Sequence, residues 1–415
     1  MSLRTLIAAG TCLLQTLSGP LLASGSAAAR PIAPEERIVI EEVAPGSAAE
    51  RAGLLPGDEL AGWYSERGSS GALRTPFGLG EVKVDQAPRG PVTLRGFRGG
   101  EERSWRVLPG VWGIEARPAL APDLLALYER GKKRIAAGEL DGGAMLWRSA
   151  LESLERQQAA PEDVSWLESR LAQAFFKAQR WPEADAAWER AVARLEPQGA
   201  QGAAQILRAW GETLQQRSDW ERAESCYRRA LRLEPEESLA AAWDWSALGT
   251  LARRRGDLAT AEDLYRKARS IREKRAPESL DLASSFYDLA VLSAVRGDLT
   301  AAEELFSKAL TLRERLAPES VEMGGTLINL GNVASFRGDS TLAEELFQRA
   351  VALIERLSPG DSELARGDHS GGQRDDARRA GVGRRALPAR AHDPAEDRTR
   401  EPGRRGKLPE PGRPR

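Results

Sequence analysis

The sequence from Arg253 to Ala283 reads RRRGDLATAEDLYRKARSIREKRAPESLDLA, and two later stretches repeat its pattern. Residues 294–324 read AVRGDLTAAEELFSKALTLRERLAPESVEMG, and residues 335–365 read SFRGDSTLAEELFQRAVALIERLSPGDSELA. The glycines of the three RGD motifs, Gly256, Gly297 and Gly338, lie 41 residues apart. Repetition at a fixed period of this length indicates structural units that stack in a row.

Each unit is predicted to contain two amphipathic helices that meet at the RGD motif, because apolar residues recur at helical spacing on both sides of it. The small Ala261 lets the second helix approach the first, and the aromatic Tyr265 wedges into the next unit. A single pair cannot bury its apolar face alone, so the pairs must stack. More divergent units end at Pro197 and Pro235, and a weaker unit precedes them. The sequence therefore predicts an all-α array of about six helix pairs over residues 119–361.

The unit that begins at Ala242 resembles the tetratricopeptide repeat (TPR), because six of its residues fall on the signature spacing of that family: Trp245, Leu248, Gly249, Ala261, Tyr265 and Ala268. The longer period resembles the kinesin-light-chain type. The resemblance implies a concave, peptide-binding surface lined by the first helix of each unit. On that geometry five residues are expected to face a ligand: Arg253, Arg254, Tyr287, Asn329 and Asn332. The eight tryptophans from Trp147 to Trp245 are interpreted as repeat core rather than as a ligand cage.

A different pattern precedes the repeats. Residues 37–63 read RIVIEEVAPGSAAERAGLLPGDELAGW, which predicts a short strand, a turn, a short helix and a second strand. Ser47 can accept a hydrogen bond from the first turn of the helix, and Glu50 completes a capping box. Gly53 ends the helix, where a left-handed residue is favourable. Residues 92–108, VTLRGFRGGEERSWRVL, predict a hairpin that turns at Gly99-Gly100.

The spacing of Gly46-Ser47, Ala52-Gly53-Leu54 and Gly57-Asp58 resembles the core of bacterial PDZ domains, so residues 30–118 are expected to form a small, mostly-β PDZ-like domain. The order of its parts resembles the circularly permuted form. In that form the carboxylate-binding loop comes last, at Gly110, Val111, Trp112, Gly113 and Ile114.

The resemblance implies that backbone amides of this loop hold the carboxyl terminus of a peptide, which pairs with the neighbouring strand edge. The alternative is a plain turn in which Trp112 packs in the core. Residues 76–87, PFGLGEVKVDQA, stand where the family has a helix beside the peptide groove. Their glycines and Pro76 argue against a helix.

The composition limits the chemistry. The chain has 415 residues, with 60 Lys and Arg against 61 Asp and Glu, so its net charge does not indicate a nucleic-acid-binding protein. The two histidines, His369 and His392, lie outside the predicted domains, which excludes serine–histidine and cysteine–histidine pairs and histidine metal ligands within them. Cys12 and Cys226 form no disulfide framework. The sequence therefore predicts no enzyme, no cofactor and no metal, and it leaves the oligomeric state open.

Residues 1–29 have the parts of a secretory signal peptide: Arg4, an interrupted apolar stretch and the small residues of Ala27-Ala28-Ala29. The protein is thus expected to be exported, to the periplasm or beyond, with no membrane span after cleavage. The alternative is an uncleaved membrane anchor.

Helical periodicity stops after Ala365, and residues 362–415 read as a disordered tail rich in arginine, glycine and proline. One alternative is a basic arm that binds a polyanion. Another is a change of reading frame near residues 366–370. With synonymous codons chosen freely, residues 393–412 read IRRKIAPESLAVAGSFPNLG in the shifted frame. Residues 271–290 read IREKRAPESLDLASSFYDLA, so the shifted frame restores the repeat in the correct phase.

The order of signal peptide, PDZ-like domain and TPR array resembles a bacterial family in which a caspase-like CHAT domain follows the repeats. Two functions are therefore expected. The first is a non-enzymatic interaction scaffold whose PDZ-like groove and concave TPR face bind protein or peptide partners. The second is the regulatory half of a truncated CHAT-type cysteine protease whose catalytic domain is missing.

Overall fold

The structure is a computed structural model that describes residues 36–199 and 201–357. The predicted signal peptide over residues 1–29 lies outside the described residues, as does the predicted tail over residues 362–415 with its change of frame. The described residues form an N-terminal sheet domain and an array of α-helices. The predicted fold class, a small mostly-β domain followed by an all-α array of stacked pairs, is confirmed.

The sheet domain is a six-stranded antiparallel sheet in which β5, β4, β2, β1 and β6 lie side by side and β3 pairs with β2. Its strands are β1 (Ile38–Val43), β2 (Glu59–Ser65), β3 (Ser70–Ala72), β4 (Val92–Arg98), β5 (Glu101–Val107) and β6 (Ile114–Pro118). Helix α1 (Ala48–Arg51) begins after Ser47, whose hydroxyl accepts a hydrogen bond from the Glu50 amide at 3.1 Å. The predicted cap thus forms.

Alternating apolar residues of the strands build the core of the sheet domain, because successive side chains of a strand point to opposite faces. Ile38 and Ile40 of β1, Leu60 of β2 and Leu94 of β4 are buried in one cluster. Trp112, which precedes β6, packs into the same cluster and is 3% exposed.

The expectation against a helix at residues 76–87 is wrong. Helix α2 (Pro76–Glu81) continues as a π-helical turn over Val82–Gln86 and a 3₁₀ turn over Ala87–Arg89. Pro76 stands at the start of the helix, where a missing amide is tolerated. Thr75 caps it by accepting a hydrogen bond from the Gly78 amide at 3.1 Å. Leu79 and Val82 then bury their side chains in the core, which offsets the low helix propensity of the glycines.

The remaining helices form six pairs within the described residues. They are α3 (Pro122–Ala136) with α4 (Leu140–Arg156), α5 (Pro161–Lys177) with α6 (Trp181–Leu195), α7 (Gln201–Gln216) with α8 (Trp220–Leu233), α9 (Leu239–Arg254) with α10 (Leu258–Arg275), α11 (Leu280–Val295) with α12 (Leu299–Leu316), and α13 (Val321–Phe336) with α14 (Ser340–Leu357).

The turn inside each pair contains one residue in the left-handed conformation. These residues are Gly138, Gln179, Ser218, Gly256, Gly297 and Gly338. A side chain at such a position costs about 1–2 kcal/mol, which explains why the three regular repeats have glycine in the RGD motif. Asp257, Asp298 and Asp339 of the same motif each cap the helix that follows. The RGD motif is therefore a turn followed by a cap.

Aromatic side chains connect successive pairs. Tyr265 is 1% exposed and packs with Leu289 and Leu292 of the next pair. Its ring also lies so close to Gly249 that a Cβ there would stand 2.8 Å from it. The first helices of neighbouring pairs approach one another, as α9 does α11 and α11 does α13. The first helices therefore line the inner face of the array.

Candidate functional site

Two surfaces contain the residues that the sequence selected. The glycine loop, Gly110–Ile114, joins β5 to β6 at one end of the sheet domain. The inner groove is the part of the inner face formed by α9, α11 and α13. The two surfaces use different groups, because the loop offers mainly backbone amides and the groove offers side chains.

Backbone hydrogen bonds fix the orientation of the glycine loop. The carbonyls of Val111, Trp112 and Gly113 accept from the amides of Ala48, Ala49 and Ala44 at 2.9, 3.4 and 2.8 Å. A trans peptide unit places its amide opposite its carbonyl, so the amides that follow these carbonyls point away from α1. Within the described residues, the amides of Trp112 and Gly113 donate to no backbone carbonyl outside the strands. The loop can therefore offer them to an anion.

Gly113 is the residue that this arrangement requires. It has a φ of +62°, and a Cβ there would lie 2.6 Å from the Cβ of Ser47 and 2.8 Å from that of Ala44. The indole of Trp112 is buried in the core, which the alternative of a plain turn also predicts. The Val111 side chain is 68% exposed. Of the five predicted loop residues, the structure thus leaves the backbone and the Val111 side chain accessible.

The outer edge of β6 continues from the glycine loop. Among the described strands β6 pairs with β1 alone, so its other edge faces α2 and the turns after it. The Nζ of Lys83 donates to the carbonyl of Ile114 at 3.2 Å. Burial lowers the pKa of Lys83. The sequence does not distinguish this residue, since only the fold places it beside the strand edge.

The sheet domain covers the inner face of the first three pairs and also contacts α9 of the fourth through the turn over Val82–Gln86. The Gln205 side chain on α7 donates to the carbonyl of Phe77 at 2.8 Å. Arg170 on α5 binds Glu115 of β6 at 3.0 Å. The Tyr128 hydroxyl on α3 donates to Glu41 of β1 at 3.0 Å. The inner face that remains for a partner is therefore the groove of the later pairs.

Buried carboxyl groups lie next to this domain contact. Arg208 on α7 binds both Glu234 and Asp244 at 3.1 Å, and Asp244 is fully buried. Burial raises the pKa of Asp244 to about 7. It also raises the pKa of Glu81 on α2 to about 7, with a further contribution from the charge of Glu234. Alignment of the repeats distinguishes Asp244, because the equivalent residues in the two later repeats, Ser285 and Thr326, are uncharged.

The inner groove brings three of its five predicted residues together. The Nδ2 of Asn329 donates to the Tyr287 hydroxyl at 2.7 Å. Burial raises the pKa of Tyr287, and the nearby guanidinium of Arg253 opposes the rise there and at Asp288. Burial nevertheless raises the pKa of Asp288 to about 6. This part of the groove therefore offers one cation, one carboxyl group and a phenol.

The other two predicted residues lie elsewhere. Arg254 stacks over the Trp220 ring at 5.0 Å. Asn332 is exposed on α13, and no contact joins it to Tyr287 or Asn329 in the described part of the chain.

Two buried arginines support the groove from the second helices. Arg272 donates to the hydroxyls of Ser246 and Ser285 at 3.0 and 2.7 Å. Arg313 donates to the carbonyl of Glu322 at 2.9 Å and to Thr326, and its guanidinium stacks on Tyr287 at 4.9 Å. A cavity of about 260 Å³ is lined by Arg272 and by residues that include Glu212, Asp281 and Asp288. The groove is therefore polar and suits a peptide with hydrogen-bonding side chains.

Neither metal chemistry nor a membrane span is indicated for residues 36–199 and 201–357. No group of three or more His, Cys, Asp and Glu side chains in them could hold a metal ion. No helix there has both the length and the apolar character needed to cross a bilayer. Cys226 is buried on α8, and burial raises the pKa of its thiol to about 12, so it is a core residue rather than a nucleophile.

The stacked pairs define the class of the helical part, a solenoid of helix–turn–helix repeats. Residues 163–236, 202–274 and 281–356 match the family model of the tetratricopeptide repeat. Tetratricopeptide repeats generally mediate protein–protein interactions. No curated protein sequence matches the chain.

Several solved structures are similar. BtubC (BKLC) from P. vanneervenii is 19% identical, with a TM-score of 0.44, and the match covers 61% of this chain and 96% of that one. Pseudomonas aeruginosa PilF is 17% identical, with a TM-score of 0.38, over 59% of this chain and 95% of that one. PilW, a widely conserved type IV pilus biogenesis factor, is 15% identical, with a TM-score of 0.40, over 59% and 98%.

Proposed function

We propose that the chain is a non-enzymatic scaffold, exported from the cell, whose sheet domain is a PDZ-like module that binds the carboxyl terminus of a peptide. The observation that carries the proposal is the anchoring of the glycine loop. Its carbonyls are held by α1 and the end of β1, and its amides point the other way. An extended peptide whose carboxylate binds those amides reaches the outer edge of β6, which pairs with no other described strand.

The inner groove is proposed as the site of a second partner. Because the sheet domain covers the first three pairs, this partner contacts Arg253, Tyr287 and Asn329 rather than the whole inner face. The polar lining favours a peptide that supplies both hydrogen-bond donors and acceptors.

Fluorescence polarisation with a library of labelled hexapeptides that end in a free carboxylate tests the first site. The selected peptide is expected to lose at least tenfold in affinity when its terminus is amidated, since a charge-assisted contact contributes about 1.5–3 kcal/mol. Gly113→Ala is expected to abolish binding because the new Cβ collides with Ser47.

Gly100→Ala is the matched control, since Gly100 has a φ of +86° in the β4–β5 turn and no neighbour within 4 Å of an added Cβ. It introduces similar backbone strain away from the loop and is expected to leave affinity unchanged. Equal affinity for the amidated and free peptides, or equal losses in the two variants, would contradict a carboxylate site at the glycine loop.

One observation favours the second candidate, the regulatory half of a longer CHAT-type protease. Val351 on α14 is 55% exposed, whereas Leu310, its equivalent one repeat earlier, is 8% exposed because α13 covers it. At this position, α14 thus leaves exposed the apolar surface on which the next helix packs in the preceding repeat. Residues 358–365, SPGDSELA, continue the repeat in register. Sequencing the gene across codons 366–370 and beyond the stop codon tests this candidate; an intact frame with no Cys/His domain downstream rejects it.

A further inference from the structure

The last helix pair faces the sheet domain across a cavity of about 750 Å³. Gly46, Arg51, Gly110 and Val111 of the sheet domain line one side. The start of α13 and the second half of α14 line the other. The volume lies within the range of about 300–1,000 Å³ that is usual for binding pockets. The curvature of the array therefore brings its two sequence-distant ends to one site.

The charged groups of this cavity are unbalanced. Arg51, Arg349, Arg356 and Glu319 line it, and Arg349 already forms an ion pair with Glu314 of α12. Arg51 and Arg356 form no ion pair with another described residue, so two carboxylates of a ligand could bind them. Apolar side chains lie between the cations, including Val111, Leu316 and Met323.

The repeat pattern shows that an expected ion pair is missing at this cavity. Arg315 pairs with Glu278 at 3.3 Å, and Lys274 pairs with Glu237 at the same distance one repeat earlier. Arg356 and Glu319 are the next equivalents, yet no ion pair forms at Arg356 with another described residue. The guanidinium of Arg356 is thus available to a ligand.

The cavity shares Gly110 and Val111 with the glycine loop, but its cations are not part of the proposed carboxylate site. Gly46 precedes α1 and Arg51 is its last residue, on the side to which the loop carbonyls point. The Nη1 of Arg51 donates to the carbonyl of Gly46 at 2.5 Å, which holds the guanidinium at the mouth of the cavity and leaves its other nitrogens for a ligand.

We propose that the cavity between the glycine loop and α14 binds an acidic segment of a partner protein, with two carboxylates and apolar residues beside them, and that this segment clamps the last helix pair to the sheet domain. The two domains share the recognition: Arg51 contributes from the sheet domain, and Arg356 contributes from the last helix. Charge complementarity and the apolar lining select the partner.

An array of fluorescein-labelled, capped eight-residue peptides with zero to four acidic and zero to four apolar positions provides the probe. Binding to the full chain is expected to need two acidic and at least two apolar residues, and to weaken between 50 and 500 mM NaCl. Arg51→Gln and Arg356→Gln are each expected to weaken the best peptide about threefold, the size usual for exposed charge pairs. Arg315→Gln, the same position one repeat earlier, is expected to have no effect.

Hydrogen exchange with the bound peptide tests the clamp: amides of residues 109–113 and of α14 are both expected to slow. Three results would overturn the proposal: no acidic peptide binds, only one domain's arginine matters, or peptides bind only after residues 358–415 are deleted, which would make this chain's own tail the occupant. Neither Arg51 nor Arg356 is part of the carboxylate site. Substituting them is therefore expected to leave the result of the Gly113→Ala experiment unchanged, so the two proposals can fail separately.

Discussion

Asp244 provides a quantitative test of how burial controls the stability of the array. It is fully buried, and it shares Arg208 with Glu234 at 3.1 Å from each. Its Oδ1 has no hydrogen-bond partner in the described part of the chain. Asp244→Asn retains the shape and removes the charge, so the comparison isolates what the buried carboxylate costs.

The expected change in the free energy of unfolding follows from the pKa of Asp244. Burial raises it from 3.8 to about 7 in the folded protein. This rise is worth about 4 kcal/mol at about 1.4 kcal/mol per pKa unit. Because the folded pKa is above the unfolded one, folding favours the protonated form, and this contribution is lost as pH rises from about 4 through about 7. The variant is therefore expected to be more stable than the native chain by about 1.5–2 kcal/mol at pH 5 and by up to about 4 kcal/mol at pH 8.5.

Urea unfolding followed by tryptophan fluorescence at pH 5, 7 and 8.5 measures the difference, with Trp243 and Trp245 on the same helix as local reporters. Asp263→Asn, which removes the same charge from the exposed surface of α10, is the control. The gap between Asp244→Asn and the native chain should widen with pH, and the gap for the control should not. A constant gap, or one that narrows, would refute the argument from burial.

Three further predictions concern single positions. Lys83→Met frees the carbonyl of Ile114 for a peptide amide and is expected to raise the affinity of the selected C-terminal peptide about threefold, whereas Lys267→Met on α10 should not change it. Ser218→Gly relieves a left-handed serine and is expected to stabilise the chain by about 0.5–1 kcal/mol in urea unfolding, with the reverse sign for Gly256→Ser. Leu310→Lys is expected to destabilise the chain by at least about 3 kcal/mol, and Val351→Lys by less than about 0.5 kcal/mol. Similar effects at the two positions would show that the outer face of α14 is covered.

The sequence predicts the repeat well because each pair contacts mainly its neighbours. Gly256 and Asp257 specify a turn and a cap within a few residues, and Ala261 and Tyr265 specify contacts within one or two pairs. The helix at Pro76 shows the limit of this local reasoning. Its glycines predict no helix, yet a threonine cap and the burial of Leu79 and Val82 form one.

The residues of the candidate sites also differ in whether the sequence alone identifies them. Gly113 is recognisable from the sequence because a tight turn needs glycine. Lys83, Asp244 and Arg356 are not, because an ordinary lysine, aspartate or arginine acquires its role only from what folds against it. Arg254 was selected by its place on a first helix, but the direction of its side chain takes it to Trp220 instead.

The sequence by itself determined the two parts of this protein, the period of its repeats and the position of its glycine loop, since these depend on contacts between residues close in the chain. The tertiary structure alone decided that the sheet domain covers the first three pairs and that the last pair returns to face the glycine loop. The physical reason is that the curvature of a solenoid is the sum of small rotations at every interface between repeats. No single stretch of sequence contains that sum, so the cavity between Arg51 and Arg356 emerges only when the whole array is built.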